Sequence, residues 1–443
     1  MNGPSIGWPG IVRLGLVQAS LGAIVVLCTS TMNRVMQIEL MLPATLPGAL
    51  VALHYVLQVL RPRLGYGSDV GGRRVPWIIG GMALLAGGGV LAALATAWMA
   101  SNLLAGVALA VLAYTLIGIG VGASGTSLLV LLAKRVDAAR RPAAASVVWL
   151  MMIFGIALTA GIGGKLLMPF SGTRLVEVTA AVGALALAMT VLAVWGMEGT
   201  AAPIAPAEPP APFGLAFRQV WGERQVRHFA LLVFVSMLAY SAQELIIEPF
   251  AGAVFGLPPG QSTQLIGVQH GGVLAGMILL ALAGAATARW RVGSLRLWMA
   301  LGCFASTIGL LAMASAGSVG PAWPLATSFF LLGMANGFFC AAAIGSMMQL
   351  AGSGRQSREG VRMGLWGASQ ALAFGLGSLA GSSAVDLARL LLGSPVAAYA
   401  VVFAGQAMLF LVAGVLSLRV GTSAGGQPVA ELVVAGQTGL RKW

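Results

Sequence analysis

Hydrophobic runs of about 20 residues recur from one end of this 443-residue chain to the other. At 1.5 Å per residue, a helix of that length crosses a hydrocarbon core of about 30 Å. Hydrophobic residues make up 58% of the chain and charged residues only 8%, whereas about a quarter of an ordinary soluble domain is charged. The chain is therefore predicted to be an all-α integral membrane protein, with its first spans near residues 12–33 and 43–60 and its seventh near 228–250.

The runs form two sets of six, separated by a stretch rich in Pro and Ala. This stretch, "EGTAAPIAPAEPPAPFG" at residues 198–214, favours neither a regular helix nor a packed core. It predicts a linker between two six-helix halves. The predicted parts of the chain are an N-terminal half at 1–197, a cytoplasmic linker at 198–227, a C-terminal half at 228–419 and a cytoplasmic tail at 420–443.

The positive charge of the chain follows its predicted topology. In a soluble protein a net charge of +13 would suggest nucleic acid as a partner, because basic patches attract phosphates. Here nearly all of the 25 basic residues fall in one alternating set of loops and in the termini, as the positive-inside rule describes. We therefore expect both termini in the cytoplasm, and membrane lipid rather than nucleic acid beside these loops. The basic residues outside this set are Arg34, Lys165, Arg174 and Arg389.

The loop between the second and third spans carries a spaced set of glycines and charges. Its members, Gly65, Asp69, Gly72, Arg73 and Arg74, fit the pattern G-x-x-x-D-x-x-G-R-R. A short turn places the acid near two Arg side chains and a helix N-terminus, where it can accept charge-assisted hydrogen bonds. The pattern resembles the hallmark loop of the major facilitator superfamily. That resemblance implies 12 transmembrane helices in two pseudo-symmetric halves and a cytoplasmic gate at this loop.

Charged and amide side chains interrupt two predicted spans at matching places in the two halves. The stretch "CTSTMNRVMQIELMLPA" carries Arg34 and Glu39, and "YSAQELIIEPF" carries Gln243, Glu244 and Glu248. A charge costs about 2.5–3.5 kcal/mol at the centre of a span on insertion scales, and less near its end. The five residues are predicted to form a polar cavity or gate. The alternative is a structural ion pair of Arg34, either with Glu39 or with Glu248, that holds helices together.

Two of the three histidines lie in otherwise apolar sequence, His54 in the second span and His270 in the eighth. An imidazole inside a membrane can ligate the magnesium of a chlorin, hydrogen-bond a neighbouring helix or relay a proton. Gly271 and Gly272 would leave space for a flat macrocycle beside His270. The third histidine, His228, lies beside basic loop residues and is expected to be solvated.

Five longer stretches point to a narrower family. In chain order they are "STMNRVMQIELMLPATLPGALVALHY", "GSDVGGRRVPWI", "AQELIIEPFAGAVFGLPPGQSTQL", "GMANGFFCAAA" and "RMGLWGASQALAFGLGSLAGSSAVD". Together they resemble the PucC and LhaA family of photosynthetic complex assembly proteins, also described as bacteriochlorophyll delivery proteins. The resemblance covers most of residues 12–419 and is closer to the shorter branch associated with bacteriochlorophyll-synthesis genes.

This resemblance implies an assembly factor in the inner or intracytoplasmic membrane of a phototrophic bacterium. It implies that the protein binds bacteriochlorophyll as a cofactor and delivers it to light-harvesting antenna polypeptides, with pigment-synthesis enzymes as further partners. His54 and His270 would ligate the pigment magnesium. The polar cap or gate would consist of Arg34, Glu39, Gln243, Glu244 and Glu248.

Two other classes of function stay open on the residues. One is a secondary transporter of a small solute, driven by protons through Glu244 or Glu248. The other is a structural chaperone that binds antenna helices and no pigment. Enzymatic activity is not expected, because the sequence has no Ser-His-acid arrangement, no G-x-x-x-x-G-K-[ST] loop and no Cys/His metal cluster.

Overall fold

The computed structural model describes residues 6–58, 73–137, 140–197, 224–287, 294–352 and 359–419, and its regular structure there is entirely helical. Eleven helices in these ranges are long and apolar enough to cross a membrane, and a shorter apolar helix of 13 residues lies where the second span is predicted. The predicted fold class is confirmed.

The helices are α1 (Trp8–Glu39), α2 (Thr45–Leu57), α3 (Val75–Met99), α4 (Leu103–Arg135), α5 (Arg141–Leu166), α6 (Gly172–Val194), α7 (Arg224–Phe255), α8 (Pro259–Thr287), α9 (Leu295–Val319), α10 (Leu325–Gly352), α11 (Glu359–Leu392) and α12 (Pro395–Arg419).

Local sequence explains where several helices begin and end. The Asn102 side chain accepts a hydrogen bond from the Ala105 N–H at the start of α4, and Ser171 does the same for Arg174 at the start of α6. Gly256 directly follows α7 with a φ of 66°, a left-handed conformation that glycine adopts without a steric penalty. The predicted tail lies outside the described residues, as does the predicted linker except for 224–227, which form the first turn of α7.

The first and seventh helices are longer than predicted. The apolar runs place their ends near residues 33 and 250, but α1 continues to Glu39 and α7 to Phe255. Two π-helical turns, Leu27–Thr31 and Val35–Glu39, carry α1 through its charged stretch. Such turns occur often at functional sites. Arg34 and Glu39 are therefore parts of a helix rather than of a loop that follows one.

Glycines set the closest approaches between helices. On α8, Gly272 and Gly276 face the α10 backbone, where an added Cβ would lie 2.1 Å from the Phe330 carbonyl oxygen and 2.3 Å from that of Met334. On α10, Gly333 and Gly337 face the α8 backbone in return. Lipid gives helices no hydrophobic reason to associate, so backbone contacts of this kind supply much of the packing. The prediction that Gly272 leaves room for a macrocycle is wrong, because α10 fills that space.

Buried apolar side chains form two large clusters, one built mainly from α1–α6 and one mainly from α7–α12. Within the described residues, the two sets are connected by contacts of α1 with α7, α1 with α8, α2 with α11, and α5 with α8. At the α5–α8 contact, a Cβ on Gly164 would lie 2.6 Å from the Gly260 carbonyl oxygen. We call the end of the bundle that carries the α1–α2, α5–α6, α7–α8 and α11–α12 connections the distal end.

Replacing Gly333 by Ala should destabilise the protein by about 1–3 kcal/mol, the usual cost of overpacking. The new Cβ would stand 2.0 Å from the Gln269 carbonyl oxygen, a backbone atom that cannot move alone. Gly405→Ala is the matched control, since a Cβ there meets nothing within 4 Å and Ala favours the helix by up to about 1 kcal/mol. Thermal unfolding in detergent measures both. Equal melting temperatures for the two variants would contradict the close α8–α10 contact.

Candidate functional site

Glu248 is the centre of a polar cluster at the distal end. It lies on α7 one residue before Pro249, and its side chain has no solvent exposure. Its Oε1 accepts hydrogen bonds from the Ser262 hydroxyl at 3.1 Å and the Thr263 hydroxyl at 2.7 Å, both at the start of α8. Its Oε2 accepts a hydrogen bond from the Ser30 hydroxyl of α1. One carboxylate therefore joins three helices.

Arg34 forms a second set of contacts at the same end. Its guanidinium is 1% exposed and donates through Nη1 to Glu39 and through Nη2 to the Leu257 carbonyl oxygen, just beyond α7. The absence of a side chain at Gly252 makes room for it, because a Cβ there would lie 2.9 Å from Nη2. Arg34 thus pairs with Glu39 as one alternative predicted, and within the described residues it makes no ion pair with Glu248.

Two amides complete the contact between α1 and α7. Asn33 donates to the Leu245 carbonyl oxygen of α7 and accepts a hydrogen bond of 2.7 Å from Gln37. Asn33 and Gln37 lie on the same helix face as Ser30 and Arg34, at spacings of three and four residues. The predicted site residue Gln243 is fully buried, but it has no hydrogen-bond partner among the described residues.

Asp386 of α11 holds the start of α2. Its carboxylate accepts hydrogen bonds from the backbone N–H of Ala44 and Thr45, at 2.8 and 2.7 Å, and from the Thr45 hydroxyl at 2.6 Å. An acid at this position satisfies free N–H groups and complements the helix dipole. Next to it, Gly48 packs against Ser382 of α11. Asp386 is not among the predicted site residues, although an acid within an apolar span is a signal that could have identified it.

The second predicted acid, Glu244, lies one turn further from the distal end and faces a different partner. Its Oε1 is 3.6 Å from His270 Nε2, and its side chain is 25% exposed. Glu244 lines a small cavity of about 10 Å³ together with Thr29, Tyr55, Ser241 and Phe374. That volume is about what a single water needs. The structure thus brings Glu244 and His270 together, apart from the Glu248 cluster.

The two buried histidines differ in their surroundings. His270 Nδ1 is 3.0 Å from the Ile266 carbonyl oxygen, which can only accept, so Nδ1 donates this hydrogen bond. His270 Nε2 has no hydrogen-bond partner among the described residues and faces Glu244 Oε1 at 3.6 Å. His54 Nε2 instead faces the Gln58 amide nitrogen at 3.1 Å, and its ring packs on Tyr55. His228 is exposed, as predicted.

The predicted cytoplasmic gate lies largely outside the described residues. Gly65, Asp69 and Gly72 fall there, while Arg73 and Arg74 immediately precede α3. The Arg74 carbonyl oxygen accepts the Ile78 N–H in the first turn of that helix. Among the predicted site residues, Arg34 therefore contacts Glu39, and Glu244 lies near His270. The hydroxyls that bind Glu248 were not predicted.

Comparison with known proteins decides the family. The family model described as "PUCC protein" matches residues 31–424. The chain belongs to the PucC family. The matched region includes both acids of α7, His54, His270 and Asp386. Of the residues in the contacts described above, only those of α1 before residue 31 lie outside it.

Relatives in the PucC family match nearly the whole chain. A protein of Rhodobacter capsulatus named "Bacteriochlorophyll synthase 44.5 kDa chain" is 49% identical over 98% of this chain and 100% of its own length. "Protein PucC" of Cereibacter sphaeroides is 30% identical over 90% of both chains. The resemblance predicted from the sequence is confirmed.

Solved structures of transporters share the fold. The nucleoside transporter NupG has a TM-score of 0.68 at 12% identity, covering 93% of this chain and 98% of its own. The peptide transporter POT in complex with sulfate has a TM-score of 0.68 at 15% identity, covering 95% and 97%. At such identities the likeness concerns the fold alone, and it confirms a transporter-like fold of the major facilitator type for this PucC-family chain.

Arg34→Ala should lower the free energy of unfolding by about 1.5–3 kcal/mol, the usual contribution of hydrogen bonds made by a charged group, because water can solvate the 37% exposed Glu39 after the change. The change leaves Glu39 and the Leu257 carbonyl oxygen without their donor. Arg140→Ala is the control, because Arg140 pairs with Asp137 at an exposed position where a pair contributes at most about 1 kcal/mol. Thermal unfolding in detergent measures the loss of stability in both variants. A loss for Arg34→Ala no larger than for the control would contradict a structural role of the buried pair.

Proposed function

We propose that this protein is an assembly factor for photosynthetic complexes that binds bacteriochlorophyll within the membrane and delivers it to antenna polypeptides. Membership of the PucC family supports this proposal, as does the name of the relative that is 49% identical. The transporter-like fold supports a carrier rather than an enzyme, although that relative's name contains the word synthase. Pigment-synthesis enzymes are the proposed donors of the pigment, and membrane lipid surrounds the spans.

The absence of a hydrogen-bond partner for the buried His270 Nε2 among the described residues is the observation that carries the pigment part of this proposal. A chlorin magnesium takes an axial nitrogen ligand, and a neutral imidazole with its proton on the other nitrogen supplies one. The Ile266 carbonyl oxygen accepts the hydrogen bond of Nδ1, so Nε2 is the nitrogen that a magnesium ion would take. When bound, the pigment would absorb visible and near-infrared light and so report its own presence.

The residues around His270 determine from which side a pigment could reach it. Gly271 leaves space beside the histidine, since a Cβ there meets nothing within 4 Å, whereas Gly272 is packed against α10. The small cavity next to Glu244 has room for about one water and not for a macrocycle. We therefore propose His270 as the ligand, reached from the Gly271 side. His54 is the weaker candidate, because its Nε2 already faces the Gln58 amide.

His270→Ala should abolish the bacteriochlorophyll absorption band of the protein purified in mild detergent from a phototrophic host. His228→Ala is the matched control and should keep the band, because His228 is exposed at the start of α7. His54→Ala tests the weaker candidate. Melting temperatures of all three variants separate a lost ligand from a lost fold. A folded His270→Ala protein that retains the band would contradict His270 as the ligand.

The colour of the wild-type protein and the effect of its deletion test the function as a whole. Colourless protein, together with normal antenna levels after deletion, would contradict the assembly proposal. That result would favour a proton-coupled transporter of a small solute, which the NupG and POT folds and the acids of α7 support. Antenna polypeptide that copurifies without pigment would instead indicate a structural chaperone. The proposed location is a bacterial inner membrane with both termini cytoplasmic.

A further inference from the structure

We propose that Glu248, Ser30, Thr31, Ser262 and Thr263 form a binding site for a sodium ion at the distal end of the bundle. The residues come from α1, α7 and α8, and all five are at least 98% buried. This inference goes beyond pigment delivery and does not depend on it. It rests on the donor atoms, on the charge of the cluster and on the distances between its oxygens.

The donor set contains oxygen alone. Glu248 contributes two carboxylate oxygens, and the other four side chains each contribute a hydroxyl oxygen. Hard cations prefer oxygen ligands, and hydroxyls and carboxylates serve that role in proteins. In ion-coupled membrane transporters, ion sites lie inside the bundle where helices of both repeats meet. Here α1 meets α7 and α8, and Thr31 of α1 contacts Thr263 of α8 at 3.1 Å between the hydroxyl oxygens.

The negative charge of Glu248 in this cluster favours the binding of a cation. Glu248 is fully buried, and its direct partners among the described residues are hydroxyls. Arg34 is engaged with Glu39 and the Leu257 carbonyl oxygen. Glu39 balances the charge of the neighbouring Arg34, so the Glu248 carboxylate leaves one net negative charge in the cluster. A buried negative charge that is not balanced is costly, and a proton or a cation would balance it. A single metal ion of charge +1 makes the cluster neutral.

Size and charge favour sodium over other ions. The Glu248 carboxylate lies 2.7 and 3.1 Å from the Thr263 and Ser262 hydroxyl oxygens, and the Thr31 and Thr263 hydroxyl oxygens are 3.1 Å apart. Metal–oxygen bonds of about 2.3–2.6 Å need neighbouring oxygens to separate by roughly another half ångström, which small shifts of the side chains would provide. Each hydroxyl hydrogen can rotate away from the ion, so that the oxygen lone pairs face it. A larger monovalent ion would push the oxygens further apart. A divalent ion would leave an excess positive charge next to the buried Arg34 guanidinium.

Bound sodium would hold the distal end closed. The five ligand residues connect the first helix of one set to the first two helices of the other, next to the Arg34 contacts. Any motion that separates α1 from α7 and α8 would remove ligands from the ion. Sodium is therefore expected to raise the stability of this closed arrangement by mass action, since it binds the folded protein only.

Two measurements on the full-length wild-type protein test the proposal, both at constant ionic strength and at a pH near 8. Titration with radioactive ²²Na⁺ should show saturable binding that unlabelled NaCl displaces and choline chloride does not. Replacing choline chloride by NaCl should raise the melting temperature by about 3 °C or more, and KCl should have less effect. Absence of saturable ²²Na⁺ binding would overturn the proposal.

Substitutions of the proposed ligand residues test where the sodium ion binds. Glu248→Gln should abolish the sodium-dependent rise, and Thr263→Val should weaken sodium binding at least tenfold with the carboxylate intact, so the site stays testable if the first variant does not fold. Glu177→Gln is the matched control, because Glu177 is exposed on α6 and carries the same charge. Saturable binding that persists unchanged in folded Thr263→Val and Glu248→Gln proteins would overturn the site. A Glu248-dependent response to pH with no response to sodium would overturn it in favour of a proton.

Discussion

Close backbone contact between helices is the constraint on which this structure depends. Helices in lipid gain nothing from hiding apolar side chains, so they associate where small residues allow the backbones to meet. The glycines of α8 and α10 interlock in this way, and Gly164 with Gly260 joins α5 to α8 between the two sets of helices. These contacts leave little internal space, which is why the cavity beside Glu244 holds no more than about one water.

Polar contacts are confined to a few places where this packing permits them. At the distal end, Glu248, Arg34 and Asp386 each bind partners on other helices, and each links the first set of helices to the second. Breaking such contacts in a low-dielectric interior is expensive because the exposed groups find no water. The distal end is thus closed by backbone packing and by charge together. His270 and Glu244 lie deeper, with His270 Nε2 3.6 Å from Glu244 Oε1.

Much of the fold could be predicted from the sequence because span length and apolar composition decide it. The positions of the spans agree with the helices, and the resemblance to the PucC family is confirmed. The ends of α1 and α7 were predicted too early, near residues 33 and 250, whereas the helices end at Glu39 and Phe255. The polar side chains at these ends are accommodated by partners: Arg34 by Glu39 and the Leu257 carbonyl oxygen, and Glu248 by three hydroxyls. No periodicity in one sequence reveals partners on another helix.

By itself, the sequence determined that the chain is a helical membrane protein of the PucC family, because hydrophobic length and family stretches are local properties. It also identified Arg34, Glu244, Glu248 and His270 as unusual, since polar groups in apolar spans are rare. Only the tertiary structure decided which of them meet. It paired Glu244 with His270, surrounded Glu248 with hydroxyls and placed Asp386 at the start of α2, because those distances depend on how separate helices pack in space.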